Sequence, residues 1–145
     1  MRISTRGRYA TRALFDLAQH YGEGPIVLAN IAERQEISEQ YLEHLISPLK
    51  VAGLVKSIRG ASGGFMLAKP PAEIKIRQII EAVEGPTGIT DCVDDPSCCN
   101  RSENCPTRDV WAKASAAMGN VFDSITLNDL VNSPGGKKPI TSGIM

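Results

Sequence analysis

Residues 28–70, LANIAERQEISEQYLEHLISPLKVAGLVKSIRGASGGFMLAKP, carry the strongest structural signal in this chain. A short helix is predicted over 28–34, because Leu28, Ile31 and Ala32 recur at helical spacing. Ser38 is suited to the N-cap of a second helix. That helix has its apolar residues at i, i+3, i+4 and i+7, namely Leu42, Leu45, Ile46 and Leu49. Two helices joined by so short a turn indicate a helix-turn-helix.

Two short β-prone runs follow, on either side of RGASGG at residues 59–64. The glycines permit the positive φ angles of a tight turn, so a hairpin is predicted directly after the second helix. A further helix is expected to begin near Ser4 or Thr5 and to end at YGEGP, residues 21–25. Helix, helix, helix, hairpin is the order of a winged helix-turn-helix. The predicted fold class is therefore mostly α with a small β wing.

The second half of the chain predicts two more helices. Residues 74–85, IKIRQIIEAVEG, place Ile76, Ile79, Ile80 and Val83 on one face. After Pro106, an apolar stripe with several small residues consists of Val110, Ala114, Ala117, Met118, Val121 and Phe122. Small residues allow close helix approach, so we expect this helix to pack on another one. The other helix belongs either to a second subunit or to the same domain.

Charge is distributed unevenly along the 145 residues, although the formal net charge is zero. Residues 1–69 carry nine Lys or Arg against six Asp or Glu, whereas residues 70–132 carry five against ten. The first half can therefore face a polyanion. The start, MRISTRGRYATRALFDL, has neither the apolar run of a signal peptide nor a membrane span. We expect a cytoplasmic protein without membrane contact.

Double-stranded DNA is the expected partner of the first half. A major groove accepts one α-helix, whose first turns reach base edges. At those positions stand Ser38, Glu39, Gln40, Tyr41, Glu43 and His44. Gln40 can pair with adenine, whereas Glu43 can accept from cytosine but repels phosphate. At the hairpin tip, Arg59 beside Gly60 suits a narrow minor groove. The alternative for any one of these residues is an ordinary solvated surface.

All four cysteines, Cys92, Cys98, Cys99 and Cys105, lie in DCVDDPSCCNRSENCP, residues 91–106. Structural zinc sites use ligand pairs two to four residues apart, which fits this spacing poorly. A reducing compartment disfavours structural disulfides. Iron-sulfur clusters accept thiolates from loops of this kind. We therefore expect an iron-sulfur cluster, and leave open a thiol switch, a zinc site and an inert loop.

Several motifs together resemble the IscR-like iron-sulfur cluster regulators of the Rrf family of winged-helix repressors. They are MRISTRGRYA, LANIAERQEISEQYLEHLISPL, GLVKSIRGASGGFMLAKP and ITLNDLV, which extend the match from residue 1 to about residue 131. The resemblance implies a homodimer with one 2Fe-2S cluster in each subunit and a palindromic operator. It also implies that the cluster reports iron-sulfur sufficiency. Related proteins sense nitric oxide, redox state or cysteine supply instead.

The resemblance also implies a ligand set. IscR-like proteins have three cysteines separated by five residues each, and here Cys92 corresponds to the first and Cys105 to the third. One extra residue lies between them, so either Cys98 or Cys99 can be the middle ligand. We favour Cys99, because its distance to Cys105 is preserved.

The fourth ligand is left open by the same comparison. A histidine follows the third cysteine by three positions in IscR-like proteins, and Arg108 stands there in this chain. Arg8 and Arg12 occupy the first-helix positions from which other relatives take a ligand. Since arginine cannot ligate, the candidates are a group of the partner subunit or one of four residues in the loop: Cys98, Asp91, Asp94 and Glu103.

We predict three parts of the chain: a DNA-binding winged helix-turn-helix at 1–70, the cysteine loop with dimerisation helices at 71–132, and a flexible tail at 133–145. No catalytic residue is expected. A cysteine-based oxidoreductase is the rival from another class, but no C-x-x-C opens a helix after a strand. Within the family, a sensor of nitric oxide or thiol redox state is the alternative.

Overall fold

A computed structural model describes residues 2–136, and it confirms the predicted fold class of a mostly helical chain with a small β wing. Within residues 2–136 the seven α-helices are α1 Thr5–Gln19, α2 Leu28–Gln35, α3 Glu39–Val51, α4 Ile76–Glu84, α5 Asp91–Asp94, α6 Pro106–Ser124 and α7 Leu127–Asn132. The two strands of this described part are β1 Val55–Ile58 and β2 Gly64–Leu67. Single 3-10 turns form at Pro71–Glu73, Pro96–Cys98 and Ser102–Asn104. None of the helices within residues 2–136 is long and apolar enough to cross a membrane.

Helix α1 lies at the centre of the core and packs against α2, α3, α4 and α7. Its buried face includes Leu14 and Leu17. The apolar faces predicted for α3 and α4 are both buried, as expected from their helical spacing. Burial of each large aliphatic side chain stabilises the fold by about 1.5–3 kcal/mol. The helix-turn-helix is therefore held by the same core as α4 and α7.

The wing is an antiparallel hairpin that follows α3, with Val55 paired to Leu67 and Ile58 to Gly64. Ile26 extends it through two 2.8 Å hydrogen bonds with Phe65. A Cβ atom on Gly64 would lie 2.5 Å from the Ile26 carbonyl oxygen. This close approach of two backbones requires glycine at residue 64.

The start of α1 is anchored by α4. Ser4 occupies the predicted N-cap position, but its side chain does not cap its own helix. Instead, the Ser4 amide donates to Glu84 Oε1 at 2.8 Å, and the Ser4 hydroxyl contacts the same oxygen. Glu84 thus brings a carboxylate to the positive end of the α1 dipole, where a negative charge is favourable.

The chain after α6 packs against the start of α4 and then against α1. Ile76 N donates to Ile125 O and Leu127 N donates to Ile74 O, both at 2.9 Å. Helix α7 starts with a capping box in which Thr126 accepts from the Asp129 amide at 3.1 Å. Residues 133–136 continue to α1, where Gln19 donates to the Gly136 carbonyl at 3.0 Å. Residues 137–145, which hold most of the predicted tail, lie outside the described part of the chain.

Candidate nucleic-acid interface and cysteine loop

Helix α3 presents the polar residues expected of a DNA-reading helix. Ser38 caps it as predicted, because its hydroxyl accepts from the Tyr41 amide at 3.1 Å. That hydroxyl keeps its hydrogen for donation to a phosphate or a base. Gln40 and Glu43 are exposed, together with their neighbours Glu39 and His44. The predicted reading positions therefore share the solvent-facing side of α3.

Tyr41 differs from the other reading positions because it is half-buried. Its ring meets Tyr9 of α1 edge to face, with 5.6 Å between the ring centroids. The Arg12 guanidinium lies 5.3 Å from the centre of the Tyr9 ring, and Arg8 lies 6.0 Å from it. Arg12 also donates to the carbonyl oxygen of Gln35 at the end of α2. The arginines of α1 thus lie beside the start of the reading helix.

A buried ion pair joins α1 to α2. Asp16 is fully buried, and Arg34 holds it through two hydrogen bonds of 2.9 and 2.7 Å. Gln35 adds a third bond at 3.2 Å, and His20 Nδ1 lies 3.7 Å from the Asp16 carboxylate. The hydrogen bond to Asp16 raises the pKa of Arg34 above its usual value. No sequence pattern predicts this pair, because Asp16 and Arg34 are 18 residues apart and lie on different helices.

The wing tip is exposed to solvent, as expected for the tip of a hairpin. Arg59 and Gly60 are both exposed, and Gly60 has a φ of 114°. A Cβ atom on Gly63 would lie 2.1 Å from the Ile58 carbonyl oxygen, so the turn requires glycine there. Lys50 of α3 donates to the Ser57 hydroxyl at 3.1 Å. This bond ties the wing to the reading helix, so both can approach one DNA duplex together.

The cysteine loop joins α4 to α6 and consists of α5 and two 3-10 turns. All four thiols are free; Cys92 and Cys105 are half-buried, whereas Cys98 and Cys99 are exposed. Across residues 2–136, no three His, Cys, Asp or Glu side chains are grouped so that they could hold a metal ion. The four predicted ligands thus lie in one loop, but they are not gathered around a common point.

Hydroxyl groups stand beside the two outer thiols. Thr90 Oγ1 lies 3.1 Å from Cys92 Sγ, and Thr107 Oγ1 lies 3.1 Å from Cys105 Sγ. The bond with Thr107, helped by the amides at the start of α6, lowers the pKa of the Cys105 thiol. Desolvation, followed by the negative charges of Cys92 and nearby aspartates, raises the pKa of Cys98. Cys105 is therefore closer to the thiolate form than Cys98.

Arg108 cannot ligate a metal, but it links the cysteine loop to α6 by a hydrogen bond. Its Nε donates to the carbonyl oxygen of Cys92 at 2.9 Å. The amide of Ile89 donates to the Ser115 hydroxyl at 3.0 Å, which adds a second link between the loop and α6. Nothing in the spacing of the cysteines predicts either link.

Helix α6 divides its predicted apolar stripe between two surroundings. Phe122 packs against the core and Met118 is half-buried, so this part of the stripe is covered by the same chain. Val110 and Val121 are 55% and 54% exposed, and Ala114 and Ala117 between them are exposed as well. These four residues, which we call the outer face of α6, extend along a helix of about 28 Å.

Comparison with known proteins identifies the family. Residues 3–133 match Rrf2, described as an iron-dependent transcriptional regulator. The chain belongs to the Rrf2 family. It is 42% identical to the transcriptional regulator CymR of Bacillus subtilis strain 168, over 95% of each chain. It is also 42% identical to IscR of Pectobacterium atrosepticum, over 92% of this chain and 80% of that protein.

Solved Rrf2-family structures support the same assignment. IscR of T. potens is 46% identical, with a TM-score of 0.74 over 90% of this chain and 86% of that one. CymR of B. subtilis, described as a global cysteine regulator, has a TM-score of 0.75 over 90% of this chain and 95% of its own. The chain is thus a DNA-binding transcription regulator and not an enzyme. CymR of B. subtilis and IscR of P. atrosepticum are both 42% identical to this chain, so the comparisons do not specifically support the IscR subtype.

Proposed function

We propose that this Rrf2-family regulator controls genes of iron-sulfur cluster biogenesis, and that a 2Fe-2S cluster held by Cys92, Cys99 and Cys105 selects its operators. The carrying observation is that all four cysteines, none of them in a disulfide, lie in the loop between α4 and α6. The candidate DNA-reading residues lie on α3 and the wing instead. A cluster and a duplex can therefore bind the same chain without competing for one surface.

The donor set fits such a cluster chemically, because iron-sulfur clusters are held by cysteine thiolates. Hydrogen bonds to the sulfur ligands tune a cluster, and Cys92 and Cys105 each have a hydroxyl oxygen 3.1 Å from the sulfur atom. Cys98 and Cys99 are exposed, so a change in the loop backbone can turn one of them toward the outer pair. When bound, the cluster would supply a redox-active group whose assembly requires iron and sulfide and whose reduction potential responds to its surroundings.

The loop can influence the rest of the chain through α6. Arg108 and Ser115 fix the loop to the first half of this helix. Helix α6 packs on α4, and α4 packs on both α1 and α3. A change in the arrangement of the cysteines can therefore alter the position of α6 relative to the reading helix. The physical requirement is that the two arrangements differ in affinity for the operator.

A homodimer is part of this proposal, supported by the outer face of α6. An exposed apolar face on a long helix is stabilised when it packs against a second copy. The two-fold symmetry of such a dimer predicts a palindromic operator, since each subunit would read one half-site. Replacing Val121 by glutamate should convert the dimer to a monomer in sedimentation measurements. Glu replacement of the already exposed Asn120 is the matched control.

The experiment that tests the proposal combines absorption with DNA binding. Protein purified without oxygen should show the visible bands of a 2Fe-2S cluster, or acquire them when given iron and sulfide. Operators selected from a random duplex pool by the loaded protein should bind the metal-free protein with different affinity. A colourless, iron-poor protein after reconstitution would end the proposal, and equal affinity would remove cluster control of the operator.

A second candidate input is thiol oxidation, and the accessibility of the thiols favours it. Cys98 and Cys99 are exposed, and the lowered pKa of Cys105 makes that thiol more readily ionised. CymR, one of the two relatives at 42% identity, is described as a cysteine regulator. On this alternative, metal-free protein binds the selected operator and releases it on oxidation, with recovery on addition of a dithiol. Nitric oxide is a third candidate input, and its test compares operator binding by the cluster-loaded protein with and without nitric oxide.

A further inference from the structure

The hydroxyl of Ser102 is buried in the cysteine loop without a partner. Ser102 is 7% exposed, and its Oγ has no hydrogen-bond partner among the described residues. Buried polar atoms in folded proteins nearly always have a partner, so one without a partner needs an explanation. The residue lies in the Ser102–Asn104 turn, and its amide donates to the carbonyl oxygen of Cys99 at 3.2 Å.

The surroundings of Ser102 contain one thiol. Ser102 lines a cleft of about 390 Å³. The other residues around this cleft are Pro96, Ser97, Cys99, Asn100 and Glu103. Cys99 and Ser102 therefore border the same cleft. Cys98 does not line this cleft.

A regular pattern connects Ser102 to the other thiols. Thr90 stands beside Cys92 and Thr107 stands beside Cys105, in both pairs with 3.1 Å between oxygen and sulfur. Ser102 follows Cys99 by three residues, and both residues line one cleft, so a third hydroxyl lies within one short turn of a third cysteine in the chain. The loop thus offers one hydroxyl for each of the three cysteines Cys92, Cys99 and Cys105.

We propose that the Ser102 hydroxyl donates a hydrogen bond to the thiolate of Cys99 when the loop holds its cluster, so that Cys99 and not Cys98 is the middle ligand. This inference rests on the proposed iron-sulfur function. A hydrogen bond to a charged acceptor is stronger than one between neutral groups. It stabilises the reduced cluster more than the oxidised one, because reduction adds negative charge. Ser102 is therefore a positioning residue that also raises the reduction potential.

The test compares Ser102→Ala with Ser102→Thr, which keeps the hydroxyl, and with the control Ser97→Ala. The Ser97 hydroxyl lies in the same loop but already donates to Asp95 Oδ1 at 2.5 Å. Ser102→Ala should retain visible bands and lower the equilibrium constant for reduction about tenfold, a shift of about 59 mV for one electron. It should also shift the iron-thiolate stretching bands in resonance Raman spectra. The Ser102→Thr and Ser97→Ala variants should resemble the unchanged protein.

Cysteine variants test the ligand assignment directly. Cys98→Ser should keep the visible bands, whereas Cys99→Ser should lose or strongly alter them, with circular dichroism confirming that both remain folded. Retained bands in Cys99→Ser together with lost bands in Cys98→Ser would overturn the inference.

The outcomes for Ser102 separate this inference from the proposed function. A Ser102→Ala variant with the potential and Raman bands of Ser97→Ala would also overturn it, since a water molecule would then satisfy the hydroxyl. Should Ser102→Ala fail to bind iron, loading of Ser102→Thr supports a role of the hydroxyl, and failure of both contradicts it. A colourless unchanged protein instead contradicts the proposed function itself.

Discussion

Replacing Arg34 by alanine should destabilise the folded chain by about 3 kcal/mol, the lower end of the cost of breaking a buried ion pair. The replacement leaves the fully buried Asp16 carboxylate with one hydrogen bond, from Gln35 at 3.2 Å, and with His20 at 3.7 Å. The lower end applies because the Arg34 side chain itself is 17% exposed. For a chain of this length, such a loss lowers the melting temperature by roughly 10 °C.

The assay is urea denaturation of metal-free protein, followed by circular dichroism at one protein concentration. Arg77→Ala is the matched control, because Arg77 Nε and Glu81 Oε1 are also 2.7 Å apart but both side chains are more than 40% exposed. Exposed pairs of this kind contribute little to stability. The control should leave the denaturation midpoint almost unchanged.

A double-mutant cycle decides whether the pair itself is responsible. Asp16→Asn combined with Arg34→Ala should cost less than the sum of the two single replacements, because the combination leaves no buried charge without a partner. Additive costs, or an Arg34→Ala midpoint equal to that of Arg77→Ala, would refute the reasoning. The latter result would mean that water reaches Asp16 despite its burial.

Four further results are expected. Arg59→Ala should weaken binding to the selected operator with or without the cluster, and it should reduce the slope of the salt dependence by about one unit for each bound subunit. Unchanged affinity in gel shifts would mean that the wing does not touch DNA. Cys105→Ala should abolish the iron chromophore while circular dichroism shows a folded protein. Gly64→Ala should destabilise the wing, because its Cβ would lie 2.5 Å from the Ile26 carbonyl oxygen, measurable as a lower melting temperature. In metal-free protein, alkylation of Cys105 should begin at lower pH than alkylation of Cys98. Hydrogen bonding lowers the pKa of Cys105, whereas desolvation raises the pKa of Cys98. Mass spectrometry of the labelled peptides at several pH values measures this order, and the reverse order would contradict the reasoning.

Short-range sequence patterns account for the local elements of the DNA-binding half. The spacing of Leu42, Leu45, Ile46 and Leu49 predicted the buried face of α3, and Ser38 predicted where that helix starts. Glycines around residue 60 predicted the hairpin. These features depend on residues a few positions apart, where backbone geometry and side-chain periodicity are directly related. The family followed from the same motifs, and the comparisons confirmed it.

The start of α7 has a local sequence signal of its own. Thr126 and Asp129 have the spacing of a capping box, which marks the start of α7. This short helix was not predicted as a separate element. The division of the α6 stripe was also left open, because periodicity identifies an apolar face but does not identify what covers it.

Contacts between residues far apart in the chain arise from the packing of the helices. Asp16 and Arg34 are 18 residues apart, Cys92 and Arg108 are 16 apart, and Ser4 and Glu84 are 80 apart. No periodic pattern encodes such contacts, because they depend on how the helices pack around α1. The burial of Ser102 likewise results from the path of the whole loop. The sequence therefore determined the elements and the likeness to a family, whereas helix packing determined the partners of the charged and hydroxyl groups.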